Sequence, residues 1–484
     1  MTQTRPLKTN LFNRNADLLH GPIFKNLFLF MLPILVSNLF QQLYNTVDTM
    51  IVGNVLGDTA LAAIGSCGSI YELLVGFGIG IGNGLSIVAA RSYGAQDEDL
   101  LKRTVAGALV IGLCASFVIT TAGFFGLRPL LQLLDTPAEI LEDAYRYIIV
   151  IDLGVLVMFF YNLCAGLLRA IGNSVMPLVF LLISSGLNVA LDLLFILSFG
   201  WGVAGAAIAT VLAQLLSTIA CFIYAFAHYP QLRLSRQDFA LTRSDICQHI
   251  IQGIPLGLQF SVLAIGIIIM QSVVVQFDMV DGLLVSSAAQ NGYGAANKLF
   301  CLISTPLNAL GVSMTSFTAQ NLGAGNYKRI RQGTLQALIM LLIVGVLSAT
   351  IGLLLSINGL YLRVFLSADK VTPETIRYGN TLVYVDFGLF LLVGFIYIIR
   401  NCIQGIEQPQ YVLCAGAGEL IARITVCLLL PAAVAGGKVD ANARPLAFYA
   451  LCAADPAAWI ASDLVLCIPF FRHILRQDYR YLIK

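Results

Sequence analysis

One stretch of the chain places acid, amide and hydroxyl side chains in apolar surroundings. Its polar residues recur at intervals of three or four, which puts them on one face of a helix: Ser37, Gln41, Tyr44, Asn45 and Asp48. A carboxylate in an apolar helix is costly unless it faces a cavity or a polar neighbour. The spacing therefore predicts either a polar seam between helices or a site at which Asp48 binds a proton or a cation. Gln41 and Asn45 are then candidate cleft residues.

A second polar group lies in two later apolar runs. Asn188 and Asp192 are four residues apart, so they share one face of a helix. Thr210 follows the small residues of 202–209, which let helices approach closely and leave backbone carbonyls accessible. Carboxylate, amide, hydroxyl and carbonyl oxygens suit a hard cation such as Na⁺, and two neighbouring carboxylates also suit a shared proton. The residues alone leave the pair Asn188–Asp192 open between an ion site and a polar helix seam.

Charged residues in the second half of the chain favour structural roles. Glu419 and Arg423 are four residues apart and are expected to pair with each other, with gating or substrate contact as the alternative. Asp386 is matched by Asp152 in a segment with similar neighbours. Such matching favours a bond at a helix end or between helices, although Asp386 is also a candidate for the cleft.

Other titratable residues carry weaker signals. Glu72 and Asp463 are weak candidates for a cavity, and Lys298 is expected to extend its ammonium group toward the outer membrane surface. The His residues lie near predicted helix ends, and none is expected to serve in a proton relay: His20, His228, His249 and His473.

Several enzyme and nucleotide-binding patterns are excluded. The run GFGIGIGNG at 76–84 lacks a G-x-G-x-x-G register and a strand–helix unit, so close helix packing or a flexible wall explains it better. The sequence contains no Walker A motif, no Ser–His–Asp arrangement and no metal-enzyme motif. The 11 Cys show no C-x-x-C spacing and are predicted to be small buried hydrophobes. The sequence therefore predicts a protein that is not an enzyme and uses no cofactor.

The composition identifies lipid as the solvent for most of the chain. Of 484 residues, 58% are hydrophobic and 11% are charged, whereas soluble domains carry about 25% charged residues. The net charge of +2, without a basic run, argues against a nucleic-acid partner. The first 26 residues are polar and basic, and the first apolar run is predicted to be a retained membrane helix, not a cleaved signal peptide.

Twelve segments are long and apolar enough to cross a membrane, for which about 20 residues are needed. They are 26–53, 60–90, 104–127, 144–168, 176–199, 203–228, 250–277, 285–318, 333–358, 380–402, 410–435 and 446–471. If the N-terminus is cytoplasmic, most of the 28 Lys and Arg fall on the inner side. We therefore expect both termini in the cytoplasm and a multi-pass protein of the cell (inner) membrane.

The two halves of the chain repeat each other. Pro33 and Pro255 open the first and seventh segments, and Gly94 and Gly323 follow the second and eighth. Because each repeat has six crossings, an even number, both repeats face the same way, as in transporters whose halves are related by an axis along the membrane normal. The predicted fold is thus an all-α polytopic membrane protein with two six-helix bundles. The predicted domains are a lobe at 1–228, a cytoplasmic linker at 229–249 and a lobe at 250–484.

The repeat is asymmetric in its polar residues. Asp48 is matched by Met270, while Asn188 and Asp192 are matched by Leu420 and Ile424. A site needed only for folding is expected in both halves. The asymmetry therefore favours an ion site in the first bundle.

The motifs VDTMIVG, SYGAQ, NLGAGN, LNVALDLLFI and GWGVAGAAIAT resemble the multidrug and toxic compound extrusion (MATE) family, and the resemblance covers essentially all twelve segments. It implies an antiporter that expels organic, often cationic, compounds with a proton or sodium gradient. It also implies a cation site in the first lobe, which includes a backbone carbonyl and an associated Tyr: Asp48, Asn188, Asp192, Ala206, Thr210 and Tyr147. Some members have acids in segments seven and ten, but segment seven here has none at that depth.

The leading prediction is a monomeric antiporter that exports small organic, amphipathic cations from the lipid bilayer in exchange for H⁺ or Na⁺. The alternative is a flippase for lipids or polysaccharide precursors with a related architecture. Such flippases tend to have extra helices and basic cleft residues, whereas only Lys298 and Arg423 are expected within the membrane here. A membrane enzyme acting on lipid is a distant third interpretation, since it lacks a nucleophile–base or metal constellation.

Overall fold

The structure, a computed structural model, describes residues 16–133 and 136–479. Residues 1–15 and 480–484 lie outside this part, so the cytoplasmic placement of both termini stays a prediction. The helices of the first half are α1 (Ile23–Leu56), α2 (Asp58–Ser66), α3 (Gly68–Gly94), α4 (Glu98–Leu133), α5 (Ala138–Ala170), α6 (Val175–Asp192) and α7 (Gly202–His228). A π-helical turn, Leu193–Ser198, continues α6, and two 3₁₀ turns follow α7 at Pro230–Leu232 and Arg236–Phe239.

The second half begins with α8 and continues to a final π-helical turn. Its helices are α8 (Arg243–Gln276), α9 (Ala288–Gly323), α10 (Tyr327–Ser356), α11 (Leu362–Phe365), α12 (Pro373–Gly388), α13 (Phe390–Gly405), α14 (Pro409–Ala435), α15 (Pro445–Cys452) and α16 (Ala454–Pro469). Two 3₁₀ turns, Ile357–Gly359 and Ala368–Lys370, flank α11, and the final π-helical turn is Phe470–Leu475. Proline occupies the first helical position of α12, α14 and α15, where its missing N–H costs nothing.

Within the described residues, 11 helices are long and apolar enough to span a membrane, and a bent pair raises the number to 12. The bent pair is α12 and α13, which meet at an angle of 55°. The predicted second, tenth and twelfth crossings are therefore not single straight helices, because each is interrupted between two helical pieces: at Cys67, Leu389 and Ala453.

A short hairpin departs from the all-helical prediction. Strand β1 (Met279–Val280) pairs antiparallel with β2 (Leu283–Leu284), with Met279 opposite Leu284. The turn residues Asp281 and Gly282 have φ of 49° and 83°. An Asp-Gly turn with two positive φ values matches the twist of a hairpin, so this dipeptide is a local signal that the helix-based interpretation missed.

The described chain divides into two compact units. The first unit comprises Met1–Phe260, Thr315–Ile330 and Gln404–Glu407, and the second comprises Ser261–Met314, Arg331–Ile403 and Gln408–Lys484. The first part of α8 and the last part of α9, which belong to the second sequence repeat, therefore lie in the first unit. The lobes predicted at 1–228 and 250–484 stay a prediction.

Helix α5 organises the first unit, where it packs against α3, α4 and α7. Its side chains Phe159, Leu163 and Leu167 are almost fully buried in one apolar cluster. Gly112 of α4 leaves room for the Phe159 ring, which a Cβ at that position would overlap. Such dense packing fixes the rotation of α5 and of the helices that carry the polar site.

The glycine run of α3 serves close helix packing. A Cβ at Gly80 would lie 2.6 Å from the carbonyl oxygen of Leu256, and a Cβ at Gly84 would lie 2.6 Å from that of Gln252. Gly253 and Gly257 of α8 face these positions. Four-residue glycine spacing on both helices lets their backbones touch, as in membrane helix pairs generally. Of the two roles predicted for this run, the structure supports the packing role.

Candidate functional site

Two predicted polar residues of α6 and α7 contact each other in the first unit. The Asn188 side-chain N–H donates to the Thr210 hydroxyl at 3.2 Å, and that hydroxyl donates to the Ala206 carbonyl at 3.1 Å. The i to i+4 geometry of both helices aligns these groups, since Ala206 and Thr210 are one turn apart. Asn188 is thereby held with its amide oxygen free of any donor.

The carboxyl groups of Asp48 on α1 and Asp192 on α6 lie within hydrogen-bonding reach of each other. Asp192 is fully buried, and neither of its oxygens accepts a hydrogen bond from a backbone or side-chain donor. One oxygen of Asp48 and the amide oxygen of Asn188 are also buried without a donor. Buried acceptors are normally paired, whereas no donor among the described residues reaches these oxygens.

Two tyrosines complete the surroundings of the carboxyl pair. The Tyr44 hydroxyl lies within hydrogen-bonding reach of Thr210, and Tyr147 on α5 is buried within electrostatic reach of Asp48 and Tyr44. Tyr71 on α3 was not predicted, but it also lies within electrostatic reach of Asp48. Its only signal in the sequence is its position one turn after the break in the helix at Cys67.

Other predicted residues lie away from this group. Gln41 and Asn45 are exposed on α1, and Glu72 is exposed on α3. Among the described residues, no group of three or more His, Cys, Asp or Glu has the geometry to hold a metal ion. A cation at Asp48 and Asp192 would therefore depend on the amide, hydroxyl and carbonyl oxygens of Asn188, Thr210 and Ala206.

A different arrangement occupies the second unit, and we call it the arginine network: Arg400, Glu419, Arg423, Asp455 and Ser462. Arg400 donates to Glu419 at 2.6 Å and to the Ser462 hydroxyl at 3.0 Å. Arg423 contacts Glu419 at 3.4 Å and Asp455 at 3.0 Å. The charges alternate along the chain of contacts, so each carboxylate touches a guanidinium.

The network corrects two expectations. Glu419 and Arg423 do pair, but each makes a shorter contact with another residue, Arg400 or Asp455. The expectation that only Lys298 and Arg423 are basic residues within the membrane is wrong, because Arg400 is buried on the spanning helix α13. Lys298 is exposed on α9. Sequence reasoning missed Arg400 because it lies close to the end of its helix.

Further acids flank the network or lie apart from it. Asp386 on α12 is buried within electrostatic reach of Asp455 and Arg423, and one of its oxygens lacks a donor. Asp463 on α16 likewise has one buried oxygen without a donor. Asp152 on α5, the repeat partner of Asp386, is fully buried with neither carboxyl oxygen bonded. The interhelical bond predicted at Asp152 is made by its backbone carbonyl, which accepts from Thr120 at 3.0 Å.

The repeat motifs meet at the ends of α3 and α9, within the first unit. A Cβ at Gly94 would overlap the carbonyl of Gln320, and a Cβ at Gly323 would overlap the carbonyl of Arg91. The two contacts are reciprocal, as expected for equivalent positions of two related repeats.

The family assignment agrees with this internal repeat. The model of the MatE family matches residues 33–194 and 264–429, one stretch in each half of the chain. The chain belongs to the MATE family. It is therefore a multi-pass membrane protein of a transporter family, and the predicted fold of twelve crossings in two six-helix repeats is confirmed.

Relatives and solved structures cover most of the chain. The probable multidrug resistance protein YpnP of Bacillus subtilis is 30% identical over 318 residues, which are 65% of this chain and 68% of that protein. The FAD transporter of Shewanella oneidensis is 23% identical over 435 residues, which are 87% of this chain and 90% of that protein. A crystal structure of MATE in the straight conformation gives a TM-score of 0.80 at 21% identity, over 94% of this MATE chain and 98% of that one.

Proposed function

We propose that this MATE protein is a secondary active antiporter that exports organic, cationic amphipathic compounds in exchange for H⁺ or Na⁺. The observation that supports it most directly is the pair of the half-buried Asp48 and the fully buried Asp192, which has no basic partner among the described residues. Two negative charges at this separation repel strongly at low dielectric, so the pair needs a proton or a cation between its carboxyl groups. Asn188, Thr210 and Ala206 supply the remaining oxygens for a cation.

Coupling follows from competition for the same negative charge. An antiporter works only if ion and substrate favour different states of one cleft. An organic cation is attracted while Asp48 and Asp192 are ionised, and it is released when a proton or Na⁺ neutralises the pair. Asn188 holds Thr210 in place, and Tyr44 adds a hydroxyl at the same point. Gln41 and Asn45 on α1 are proposed as cleft residues for the substrate.

The distribution of Lys and Arg along the chain supports the proposed orientation in the membrane. The excess of Lys and Arg on one side favours cytoplasmic termini in an inner membrane, with the linker at 229–249 on the same side. We further propose that a single chain is the working unit, since one chain contains both repeats. The repeats would open the cleft to alternate sides of the membrane.

A second candidate function is transport of an anionic substrate. The similarity to the FAD transporter of Shewanella oneidensis and the two buried arginines favour it. However, Arg400 and Arg423 both contact carboxylates, so neither leaves a free positive charge for an anion. The same pairing argues against a flippase for anionic lipid precursors. A cationic substrate therefore fits the described charges better.

Reconstitution in liposomes tests the proposal. Efflux of a fluorescent organic cation is followed under a sodium gradient alone and under a pH gradient alone. Asp48→Asn and Asp192→Asn are each expected to lower ion affinity at least about tenfold, or about 1.4 kcal/mol, because the amide keeps the shape and removes the charge. Gradient-driven export should then be lost while folding is retained.

Asp152→Asn is the matched control, because Asp152 is also a buried, donor-free carboxyl in the first unit. It should leave coupling intact. The repeat partner Met270 is a poorer control, since it is fully buried and an Asn there would disturb packing. Normal export by both the Asp48 and the Asp192 variants would refute the site and direct attention to Asp386 and Glu419. Export of a nucleotide instead of the cation would support the second candidate.

A further inference from the structure

An apolar groove in the first unit lies between α4 and α8, with α3 beneath it. Its volume is about 450 Å³, within the range of about 300–1,000 Å³ that is usual for small-molecule sites. The residues of its rim are exposed: Val110, Cys114, Val118, Ile246, Ile250 and Ile254. We call this concavity the α4–α8 groove.

Buried residues form the floor of the groove. Ile81 of α3 lines it together with His249 and Gly253 of α8, and all three are buried. A Cβ at Gly253 would lie 3.4 Å from Cγ2 of Ile81, so α3 and α8 pack directly on each other beneath the groove. On the α4 side, a Cβ at Gly107 would lie 2.8 Å from the His249 ring. The groove is therefore a cleft with walls from three tightly packed helices.

The lining leaves a ligand little to bind except apolar surface. Among the described residues that line the groove, only His249 and Cys114 carry a polar side-chain group. The two ring nitrogens of His249 lie 2.6 Å and 2.9 Å from the backbone carbonyl oxygens of Asp245 and Thr104, so they are engaged within the helices. A thiol is only a weak hydrogen-bond donor. The groove therefore selects an apolar ligand, which binds by removal of apolar surface from contact with solvent.

The dimensions of the groove suit a single alkyl chain. Helices α3, α4 and α8 are each long and apolar enough to span the membrane, so the surrounding medium is lipid. From Ile246 to Ile254 the groove follows α8 for about 12 Å, at about 1.5 Å per residue. Its volume spread over this length corresponds to a width of about 7 Å, whereas an α-helix is about 10–12 Å across. The groove is therefore too narrow to receive a helix of another chain.

An exposed arginine lies at the end of the groove where α8 begins. Arg243 is the first residue of α8, and helical spacing places it on the same face as Ile246 and Ile250. Arg103 of α4 lies at the same end, but it contacts the Asp245 carboxylate at 2.6 Å, so these two charges offset each other. The guanidinium of Arg243 is thus the positive charge that can face a phosphate at the membrane surface.

We propose that the α4–α8 groove binds one acyl chain of a membrane phospholipid, whose phosphate group lies at Arg243. The apolar walls hold the chain, and the arginine sets its depth in the membrane. Such a lipid stays on the protein while the lipids at its convex faces exchange. The site shares no residue with the pair of Asp48 and Asp192, so it does not depend on the proposed antiport.

A phospholipid with a photoreactive diazirine midway along one acyl chain tests the site on the full chain. The protein is placed in nanodiscs of phosphatidylcholine and phosphatidylglycerol that contain this probe, and the labelled residues are identified by mass spectrometry after irradiation. We expect labelling of Ile250 and Ile254 to exceed that of Leu113 and Phe117 at least about tenfold. Leu113 and Phe117 are exposed apolar residues of α4 outside the groove. Equal labelling of both sets would overturn the proposal, because it would show ordinary boundary lipid only.

Variants that fill the groove give a second measurement. Cys114→Trp places a large ring at the rim, and labelling of Ile250 should fall about tenfold relative to wild type. Leu113→Trp is the matched control on α4, outside the groove, and should keep the wild-type labelling. Ala115→Leu, at another residue of the lining, serves if the Trp variant does not fold. Unchanged labelling of Ile250 in a folded filling variant would show that the chain binds elsewhere.

The phosphate contact is tested separately. Arg243→Gln should lower labelling of Ile250 about fivefold, since one basic residue near the surface loses its attraction for the lipid headgroup. Arg236→Gln, at an exposed arginine of the preceding 3₁₀ turn, is the control and should leave labelling unchanged. Equal labelling in both variants would remove Arg243 from the site.

The same samples distinguish a phospholipid from other occupants. Loss of labelling at Ile250 on addition of the exported organic cation would assign the groove to a transport substrate and overturn the proposal. Disulfide-linked or bismaleimide-linked dimers through Cys114 would assign it to a second copy of the chain. For that measurement the other exposed or partly exposed cysteines are changed to Ser: Cys247, Cys301, Cys414 and Cys467.

Discussion

The carboxylates of the two units meet positive charge in different ways. In the first unit, the half-buried Asp48 and the fully buried Asp192 lie together, and no guanidinium or ammonium group of the described residues pairs with them. In the second unit, Glu419 and Asp455 contact Arg400 and Arg423. Both units therefore place acids on membrane-spanning helices, but the Asp48–Asp192 pair has no counter-charge of its own among the described residues, whereas Glu419 and Asp455 do. The difference supports the proposal that the first unit binds an exchangeable cation or proton, whereas the second holds fixed counter-charges.

The two kinds of positive charge differ in whether they can dissociate from the protein. A guanidinium on α14 cannot leave, so Arg423 neutralises Asp455 in every state of the cycle unless the helices separate. In the proposed antiport, a proton or Na⁺ leaves and returns, so the charge of Asp48 and Asp192 would change between states. A gradient can act only on the charge that changes.

Removal of Arg423 is expected to produce the largest loss of stability. Arg423→Ala leaves Asp455 buried without its partner and deprives Glu419 of one contact, which should cost about 3–5 kcal/mol of unfolding free energy. Asp192→Asn should cost far less, because it removes an acid that has no basic partner among the described residues, and the amide can still bond to Asp48. Thermal unfolding in detergent by tryptophan or dye fluorescence gives both values.

The double variant Arg423→Gln with Asp455→Asn is the control for that result, since it removes both charges together. It should recover a large part of the lost stability. An Arg423→Ala protein that is as stable as wild type but inactive would instead assign Arg423 to gating or substrate contact.

A permanent positive charge beside Asp192 should give the first unit a neutralised carboxylate like those of the second unit. Asn188→Lys puts an ammonium one helical turn from Asp192, where it competes with Na⁺ or a proton. We expect gradient-driven export to fall at least about tenfold, with membrane insertion retained. Asn45→Lys, on the exposed face of α1, should weaken substrate binding without removing the response to the ion gradient. Equal ion coupling in Asn188→Lys and wild type would contradict the contrast between the units.

Glycine substitutions give a smaller test of how closely each polar group is packed. A Cβ at Gly266 would lie 3.2 Å from Cδ of Arg423, whereas a Cβ at Gly186 of α6 would meet nothing within 4 Å. Gly266→Ala should therefore shift the guanidinium and cost about 1 kcal/mol. Gly186→Ala should be neutral or slightly stabilising, since alanine restricts the unfolded chain. Differential scanning of both variants in one detergent compares them, and equal stability would show that the arginine network tolerates displacement.

Glu407 lies between the unpaired and the arginine-paired carboxylates, and its substitution is expected to change stability least. It is buried, yet its single arginine partner Arg91 is only partly buried. Burial raises its pKa above the ordinary value, so the folded state holds the proton more tightly than the unfolded state. Its contribution favours folding below the ordinary carboxyl pKa and is lost as pH rises through the raised folded value. Glu407→Gln should remove this slope in unfolding curves measured from below the ordinary carboxyl pKa to neutral pH. If the slope of unfolding free energy against pH is the same in Glu407→Gln and wild type, other groups cause the pH dependence.

Much of the fold follows from local properties of the sequence. A membrane span needs a continuous apolar run of fixed length, so segments such as α7 and α14 were predicted close to their observed bounds. The helix breaks at Cys67 and Leu389 were missed, because an apolar run does not reveal a bend that neighbouring helices stabilise. The hairpin at Asp281–Gly282 was missed although its dipeptide is a local turn signal.

The candidate site likewise combines features that the sequence predicted with features that it did not. Helical spacing alone determined that Asn188 and Asp192 share a face and that Asp48 belongs to a polar stripe, because one turn of a helix is a local geometry. The repeat in the sequence determined that these residues have no counterparts in the second half. Only the tertiary structure decided that Asp48 meets Asp192, that Tyr71 joins them, that Arg400 pairs with Glu419 and that Asp455 pairs with Arg423. Such partners come from helices far apart in the chain, and their contacts depend on how each helix is rotated and crossed by packing, which spacing along one helix does not specify.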